Sequence, residues 1–440
     1  MRALLLLALT ISILGCGTTP EQEVDSVPAP GQTLSGTFSG DPASLDLDAP
    51  LSLKQCLRLA ETNVGTAGAF RAITDSTRAE VSAAGALPNP TVSLLFQDVV
   101  HAGHIEQGLV NFQPFSLWQR SEALRSARAG LDEAEARVTA DRRDLHLEVG
   151  RAYYTLVAAE KLAALESEAA SITSALATQV ARRVEIGDAS SLDLDRAQAE
   201  RVDARAVRES TYLVLERERF ALAFALRVCR SAPIRVEDRW PKPLSPALLS
   251  SARELSLGEG PIPAEVHPRL AQALARVERA SARSSLEEGR KFGLDQAVLS
   301  LGVRRNRADY SGVIGLQTPL PIFDRNTGNR ARARAELGAA EAALFQVREQ
   351  YRIQVQSATN NWYQSRQALS DLRELVVRRE SIVASASSLL ADRHSTLQEV
   401  LVAQRDAVAA RRRLIAAEFD VALAGWRLLL LVGGHGEGQL

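Results

Sequence analysis

Short stretches of strict alternation and very long stretches of three-and-four spacing divide this chain between them. Val92, Leu94 and Phe96 alternate with polar or small neighbours, as do Val110, Phe112 and Pro114. Leu299, Leu301 and Val303 repeat the pattern, followed by Ile314, Leu316 and Leu320 with Thr318 between. Period two predicts strands with one apolar face, each about 9 to 12 residues long, which is the length that crosses a bilayer when tilted. Elsewhere Leu337, Ala340, Leu344, Val347, Tyr351, Val355, Ala358 and Trp362 recur at three and four, and Leu369, Leu372 and Val376 carry the stripe on. That seam predicts a helix from about Arg330 to Ala391, a rod of roughly 90 Å, with a counterpart from about Ser121 to Ile186. The Arg and Glu residues between the seam positions read as a solvated face with i to i+4 pairs.

The two sets of patterns form a duplication. "NPTVSLLFQD" from Asn89 corresponds to "DQAVLSLGVR" from Asp295, and "SSLDLDRAQAERVDARA" from Ser190 to "STLQEVLVAQRDAVAARR" from Ser395, a period of about 206 residues. Each half therefore reads helix, two strands (about 90–117 and 295–322), very long helix, turn and shorter helix. In the first half the opening helix starts at Ser52, which makes a capping box with Gln55, and runs to about Ala86. The resulting organisation is 51–230 for the first repeat, 231–264 for a linker, 265–433 for the second repeat and 434–440 for a tail.

The N-terminus changes the cellular picture. Arg2, the apolar run Ala3 to Leu14 and then Gly15 before Cys16 read as a secretory signal over 1–15. Ile13-Leu14-Gly15-Cys16 resembles the bacterial lipobox, which implies that Cys16 becomes an N-terminus carrying acyl chains such as palmitate; the alternative is an ordinary signal peptide with an incidental Cys. Residues 16–50 are rich in Pro, Gly, Ser and Asp and form a flexible lipid-anchored segment. After the signal, no apolar run is long enough for a transmembrane helix.

Composition and chemistry then remove most other functions. With 52 basic and 53 acidic residues, bulk charge selects no nucleic-acid partner. Cys56 and Cys229, far apart in helical patterns, read as small buried side chains rather than a disulfide framework. His101 and His104 lie near a hairpin loop with Glu106 as the one close acid, which favours loop imidazoles over a metal site. The hairpin-tip cluster Arg304, Arg305 and Arg307 reads as a solvated turn, the alternative being a contact with anionic lipopolysaccharide. No motif places a base beside a nucleophile, so neither catalytic residues, cofactor nor metal is expected.

Four strands cannot close a barrel, and the smallest membrane barrels use about eight, so a membrane reading requires chains to pool strands. The alternatives are a small soluble sheet and, at the level of function, a lipid-anchored periplasmic coiled-coil adaptor or scaffold. Against the latter, no Gly- and Val-rich lipoyl-like domain is found. At this point "PLPIFDRNTGNRARARAEL" and "ALPNPTVSLLFQD" resemble the signatures of TolC-type outer-membrane efflux proteins, and "VGRAYYTLVAAEKL" and "GDASSLDLDRAQAE" are similar to that family's long-helix midpoint and turn. The resemblance implies a mainly α fold with a transmembrane β-barrel portion. Three copies would build a twelve-stranded barrel continued by a periplasmic α-helical barrel.

It also implies a passive exit duct in the outer membrane of a Gram-negative bacterium. Its partners would be a periplasmic adaptor and an inner-membrane pump of the resistance-nodulation-division type. The stretch "GVRRNRADYSGVIGLQTPLPIFDRNTGN" looks closest to the cobalt-zinc-cadmium branch. By resemblance the membrane-to-tunnel junction holds Pro114, Pro319, Pro321, Phe323, Asp324 and Gly328. The periplasmic aperture and adaptor contact hold Gly187, Asp188, Ser190, Asp193 and Asp195 on one turn and Asp392, Arg393, Thr396 and Glu399 on the other. Gly187 is free to take a left-handed cap, while Ser190 with Asp193 and Thr396 with Glu399 pair as caps. Arg393 and His394 stand where the family has a Gly.

Overall fold

The structure is a computed structural model. It describes residues 49–99, 103–114, 116–228, 234–241, 244–257, 267–306, 309–320, 322–391, 394 and 396–432. Cys16, His101, Cys229, Arg307, Pro321, Asp392 and Arg393, and the signal and tail segments, lie outside the described residues.

In chain order the elements are α1 (Leu53–Thr62), α2 (Val64–Gly85), β1 (Thr91–Val99), β2 (Gly103–Phe112), α3 (Ser116–Glu185), α4 (Ser191–Ala225), α5 (Pro246–Leu257), α6 (Pro268–Gly289), β3 (Val298–Asn306), β4 (Asp309–Gln317), α7 (Thr327–Ala391) and α8 (Leu397–Val432). The duplication is thus present element by element, and α3 and α7 run 70 and 65 residues. At about 1.5 Å per residue these are rods of roughly 100 Å. The seam read from α7 faces inward: Ala340, Tyr351, Val355, Ala358, Trp362, Leu369 and Val376 are buried.

The opening helix is not continuous. It breaks at Asn63 (φ −54, ψ 131), whose side-chain oxygen accepts from Gly65 N at 3.0 Å and whose amide donates to Arg227 O at 3.1 Å. Asn side chains compete with the helix for backbone groups, and here a carbonyl 164 residues away rewards the break. Two further differences come from packing. Helix α5 forms inside the stretch read as linker because Leu248 and Ala252 are buried against Ala358, Trp362 and Leu428. β4 stops at Gln317, so Leu320 lies beyond the strand.

Adjacent strands pair antiparallel in the order β1-β2-β3-β4. Asn111 Nδ2 donates to Ser93 Oγ at 2.7 Å, and Ser300 Oγ donates to Asn111 Oδ1 at 2.7 Å, which defines a polar face. The pleat then sends the row Val92, Val110, Leu301 and Ile314, in register across all four strands, to the other face. The alternation in sequence is therefore the alternation of the two faces.

The largest core lies midway along α3, where Val149, Tyr153, Tyr154, Leu156 and Val157 meet α1, the C-terminal part of α4, Ile234, Val236 and Trp426 of α8. Cys56 sits here fully buried, and burial pushes its thiol up to about 12, so it is the small apolar side chain expected. Leu51 adds a backbone bridge to Val236, stitching the chain entry to the segment after α4. His267 caps α6 through Leu270 N and is buried; burial and the neighbouring Arg143 and Arg269 bring its pKa down to about 4, so the ring is neutral.

The charged residues do not all form the solvated face that their spacing suggests. Arg378 pairs with Glu374 and Arg332 with Glu336 along one helix. A second set crosses between helices. Arg412 of α8 grips Glu166 of α3 through two bonds, the Nη2 to Oε2 bond at 2.8 Å, and Glu166 is only 4% exposed. Arg411 joins Glu380 of α7 and Glu168 of α3, Arg405 joins Glu200 of α4, and Arg379 joins Asp406. Spacing along one helix cannot reveal these partners, because each lies on another helix.

Candidate functional site: two helix turns and a strand-to-helix junction

The residues singled out at the far ends of the long helices fall into two turns. In the first, the α3 end closes with Gly187 N donating to Val184 O at 3.0 Å and Asp188 N to Arg183 O at 2.7 Å, the paired bonds of a Schellman cap. Gly187 sits at φ +76, a conformation that a Cβ disfavours, which is why Gly occupies it. Arg183 Nε also donates to Asp188 Oδ2 at 3.0 Å. Ser190 then caps α4: Asp193 N donates to Ser190 Oγ at 3.1 Å, while Ser190 N and Oγ donate to Asp193 Oδ2 at 3.3 and 2.7 Å. Asp195 lies exposed one turn on.

In the second turn Thr396 and Glu399 make the same reciprocal pair, Glu399 N to Thr396 Oγ1 at 3.3 Å and Thr396 N to Glu399 Oε2 at 3.2 Å. His394 N donates to Leu389 O at 2.8 Å and so continues the chain out of α7. The two turns share a small apolar cluster in which Leu194 and Leu397 pack against Ala177, Val180 and Ala197. Tertiary structure thus brings the turns together, with Asp193 and Glu399 serving as caps and Asp188 paired with Arg183.

The Ser190 hydroxyl, ahead of its backbone N–H and Arg196, holds the Asp193 carboxyl below its ordinary range. A depressed folded pKa means that this contribution is complete above the unfolded value of about 3.9 and is lost as pH falls through the folded one. We expect Ser190→Ala to cost about 1 kcal/mol locally, seen as faster amide exchange in the first turn of α4. Unchanged exchange there would show that the box does not hold the turn.

At the opposite ends of the long helices lies the junction. Asp324 Oδ1 accepts from Asn326 N at 2.8 Å, and Asn326 takes φ +57. Its amide donates to Glu287 Oε2 at 2.7 Å, and its Oδ1 accepts from Asn329 at 2.7 Å. Buried Glu287 is also held by Arg290 at 2.9 Å. Asn326 and Glu287 were not singled out from sequence; the Asn in "DRNTGN", a residue that tolerates left-handed backbone, was the available signal. Pro319 packs on Gly293, Phe323 is fully exposed, Pro114 follows β2, and Gly328 is simply the second residue of α7. Among the described residues no helix is long and apolar enough to cross a membrane and no group of acids, His and Cys could hold a metal.

A family model described as outer membrane efflux protein matches residues 264–434. Among curated proteins, the cobalt-zinc-cadmium resistance protein CzcC of Cupriavidus metallidurans is 26% identical over 398 residues, covering 88% of this chain and 91% of that protein. Among solved structures, the outer membrane protein VceC of Vibrio cholerae superposes with TM-score 0.69 at 15% identity, over 87% of this chain and 96% of its own. The outer-membrane channel OprN gives TM-score 0.70 at 16% identity, over 87% and 90%. The family is described by efflux and OprN as a channel, neither as an enzyme.

Proposed function

We propose that this chain, whose residues 264–434 match the outer membrane efflux protein model, is the exit duct of a tripartite efflux system, assembled as a homotrimer with a shared twelve-stranded barrel. The observation that carries the assembly is the sheet itself: among the described residues β1 pairs with β2 alone and β4 with β3 alone, which leaves two open edges. Lipid cannot satisfy the backbone groups of an open edge, so the sheet must close with other copies. Mass measurement of the complex in mild detergent should give three chains; a stable single chain with full strand content in lipid would rule out strand sharing.

In this reading Cys16 carries the lipid anchor, and the helices α3, α4, α7 and α8 line a periplasmic tunnel. The turns at Gly187 to Asp193 and Thr396 to Glu399 form its aperture and meet the adaptor. The duct does no chemical work, and a resistance-nodulation-division pump supplies the energy. The relation to a cobalt-zinc-cadmium resistance protein supports divalent cations as cargo. A deletion strain grown on graded zinc, cobalt and cadmium should lose tolerance; sensitivity confined to detergents and drugs would exclude metal cargo.

Threefold symmetry would repeat Asp188, Asp193, Asp195, Asp392 and Glu399 around a narrow axis and concentrate negative potential there. Asp193→Ala with Asp195→Ala should weaken cation selectivity or raise conductance of the purified protein in planar bilayers while leaving assembly intact. Unaltered conductance together with lowered thermal stability would identify these acids as caps alone.

A further inference from the structure

We propose that the lipid-facing belt of this protein continues below its strands. In this proposal Leu87, Phe292, Leu320, Ile322 and Phe323 sit in the periplasmic leaflet of the outer membrane. Lys291, Arg120 and Arg325 meet its anionic phospholipid headgroups. The inference rests on the membrane reading of the sheet given above and goes beyond it by placing lipid against residues outside the strands.

The height of the sheet carries it. On the apolar face, the rows run from Phe112, Leu299 and Leu316, through Val92, Val110, Leu301 and Ile314, to Leu94 and Val303. The next row holds Phe96, Glu106, Arg305 and Tyr310. There Arg305 pairs with Glu106 at 3.6 Å and lies 5.8 Å from the Tyr310 ring, a mixture of ion pair and aromatics suited to an interface rather than to hydrocarbon. From the first row to this one is six residues, roughly 20 Å along a strand and about 15 Å in height at the usual barrel tilt. The apolar band of such barrels stands about 25 Å tall, so about 10 Å is missing.

The missing height lies on one side. On the same face the next pair in register beyond the Tyr310 row is Asp98 and His104, both polar residues. Below Leu316 the chain instead presents Leu320 (72% exposed), Ile322 (65%) and Phe323 (100%). Phe292 and Leu87, both more than half exposed, belong to the same layer. Pro319 packs on Gly293, Gly85 on Leu124 beside Arg120, and Arg290 bonds Gln119 at 3.3 Å, which ties the four chain passages together.

Charge completes the boundary. Lys291 Nζ lies 4.8 Å from the Phe292 ring, and Arg120 and Arg325 are exposed alongside. Asp324, the acid of the loop, spends an oxygen on Asn326 N–H. Aromatics with basic residues at a headgroup level form a second girdle, matching the one at Phe96 and Tyr310.

The test uses the full chain in liposomes of phosphatidylethanolamine and phosphatidylglycerol, with a nitroxide on Phe323→Cys. Leu94→Cys on the sheet face and exposed Val202→Cys on α4 are the controls. Labelling of the unsubstituted protein, which carries Cys229 as well as buried Cys56, gives the background to be subtracted. The ratio of oxygen to nickel-chelate accessibility at 323 is expected several-fold above that at 202 and nearer to that at 94. A value equal to that at 202, with 94 reading as lipid, overturns the belt; so does exclusion of both relaxants, which would mean that a second copy covers it. If 94 also reads as aqueous, the membrane reading of the sheet fails first. Lys291→Glu with Arg325→Glu should reduce co-purified phosphatidylglycerol, and unchanged lipid would remove the headgroup contact.

Discussion

Gly150→Ala is expected to destabilise the protein by about 3 kcal/mol, read as a lowered thermal midpoint of the detergent-solubilised complex. A Cβ at this position would stand 2.1 Å from Trp426 Nε1 and 2.6 Å from its Cε2. The indole cannot retreat cheaply: Trp426 is buried in the main core, and its Nε1 donates to His146 O at 3.1 Å. The close approach of α8 to α3 therefore depends on a hydrogen atom at position 150. Gly130→Ala on the same helix is the control, because its nearest contact would be the Arg279 side chain at 3.5 Å. Relieved backbone entropy there should leave stability unchanged or raised by about 0.5 to 1 kcal/mol. If both variants melt alike, the Trp426 contact does not set the packing of these helices.

Arg412→Ala carries the second large effect, again about 3 kcal/mol, because it strands Glu166 without its cation. The carboxylate is 4% exposed and receives both bonds from this one guanidinium. Arg412 itself is nearly half exposed, which tempers the loss relative to a fully buried pair. Glu166→Gln in the same chain should recover part of the stability, since an uncharged amide is less costly to bury. A double-mutant cycle by thermal melting measures the coupling; additive effects would mean that the two side chains do not depend on each other.

The local signals in the chain determined the elements. Alternation at Val92, Leu94 and Phe96 and at Leu299, Leu301 and Val303 gave strands, because side chains on a pleated strand must alternate faces. The seam through Tyr351, Val355 and Trp362 gave a very long helix, because three-and-four spacing keeps one face apolar. Caps were legible for the same reason: Ser52 with Gln55, Ser190 with Asp193 and Thr396 with Glu399 act within four residues of one another. So was the duplication, and with it the resemblance to efflux ducts.

What required the fold was everything decided by contacts distant in sequence. The break at Asn63 depends on Arg227 O, and the helix at Pro246–Leu257 on Trp362 and Leu428. Asn326 becomes the knot of the junction only when Glu287 is placed beside it. Glu166 reads as one more solvated charge on the first long helix until packing sets Arg412 of another helix against it. In the same way Gly150 carries no signal in a helical pattern that tolerates glycine, and its meaning appears when Trp426 occupies the space where a Cβ would stand. Periodicity fixes which face of an element is apolar; only the folded chain fixes which residue that face meets, because the partner is chosen by three-dimensional proximity and not by spacing.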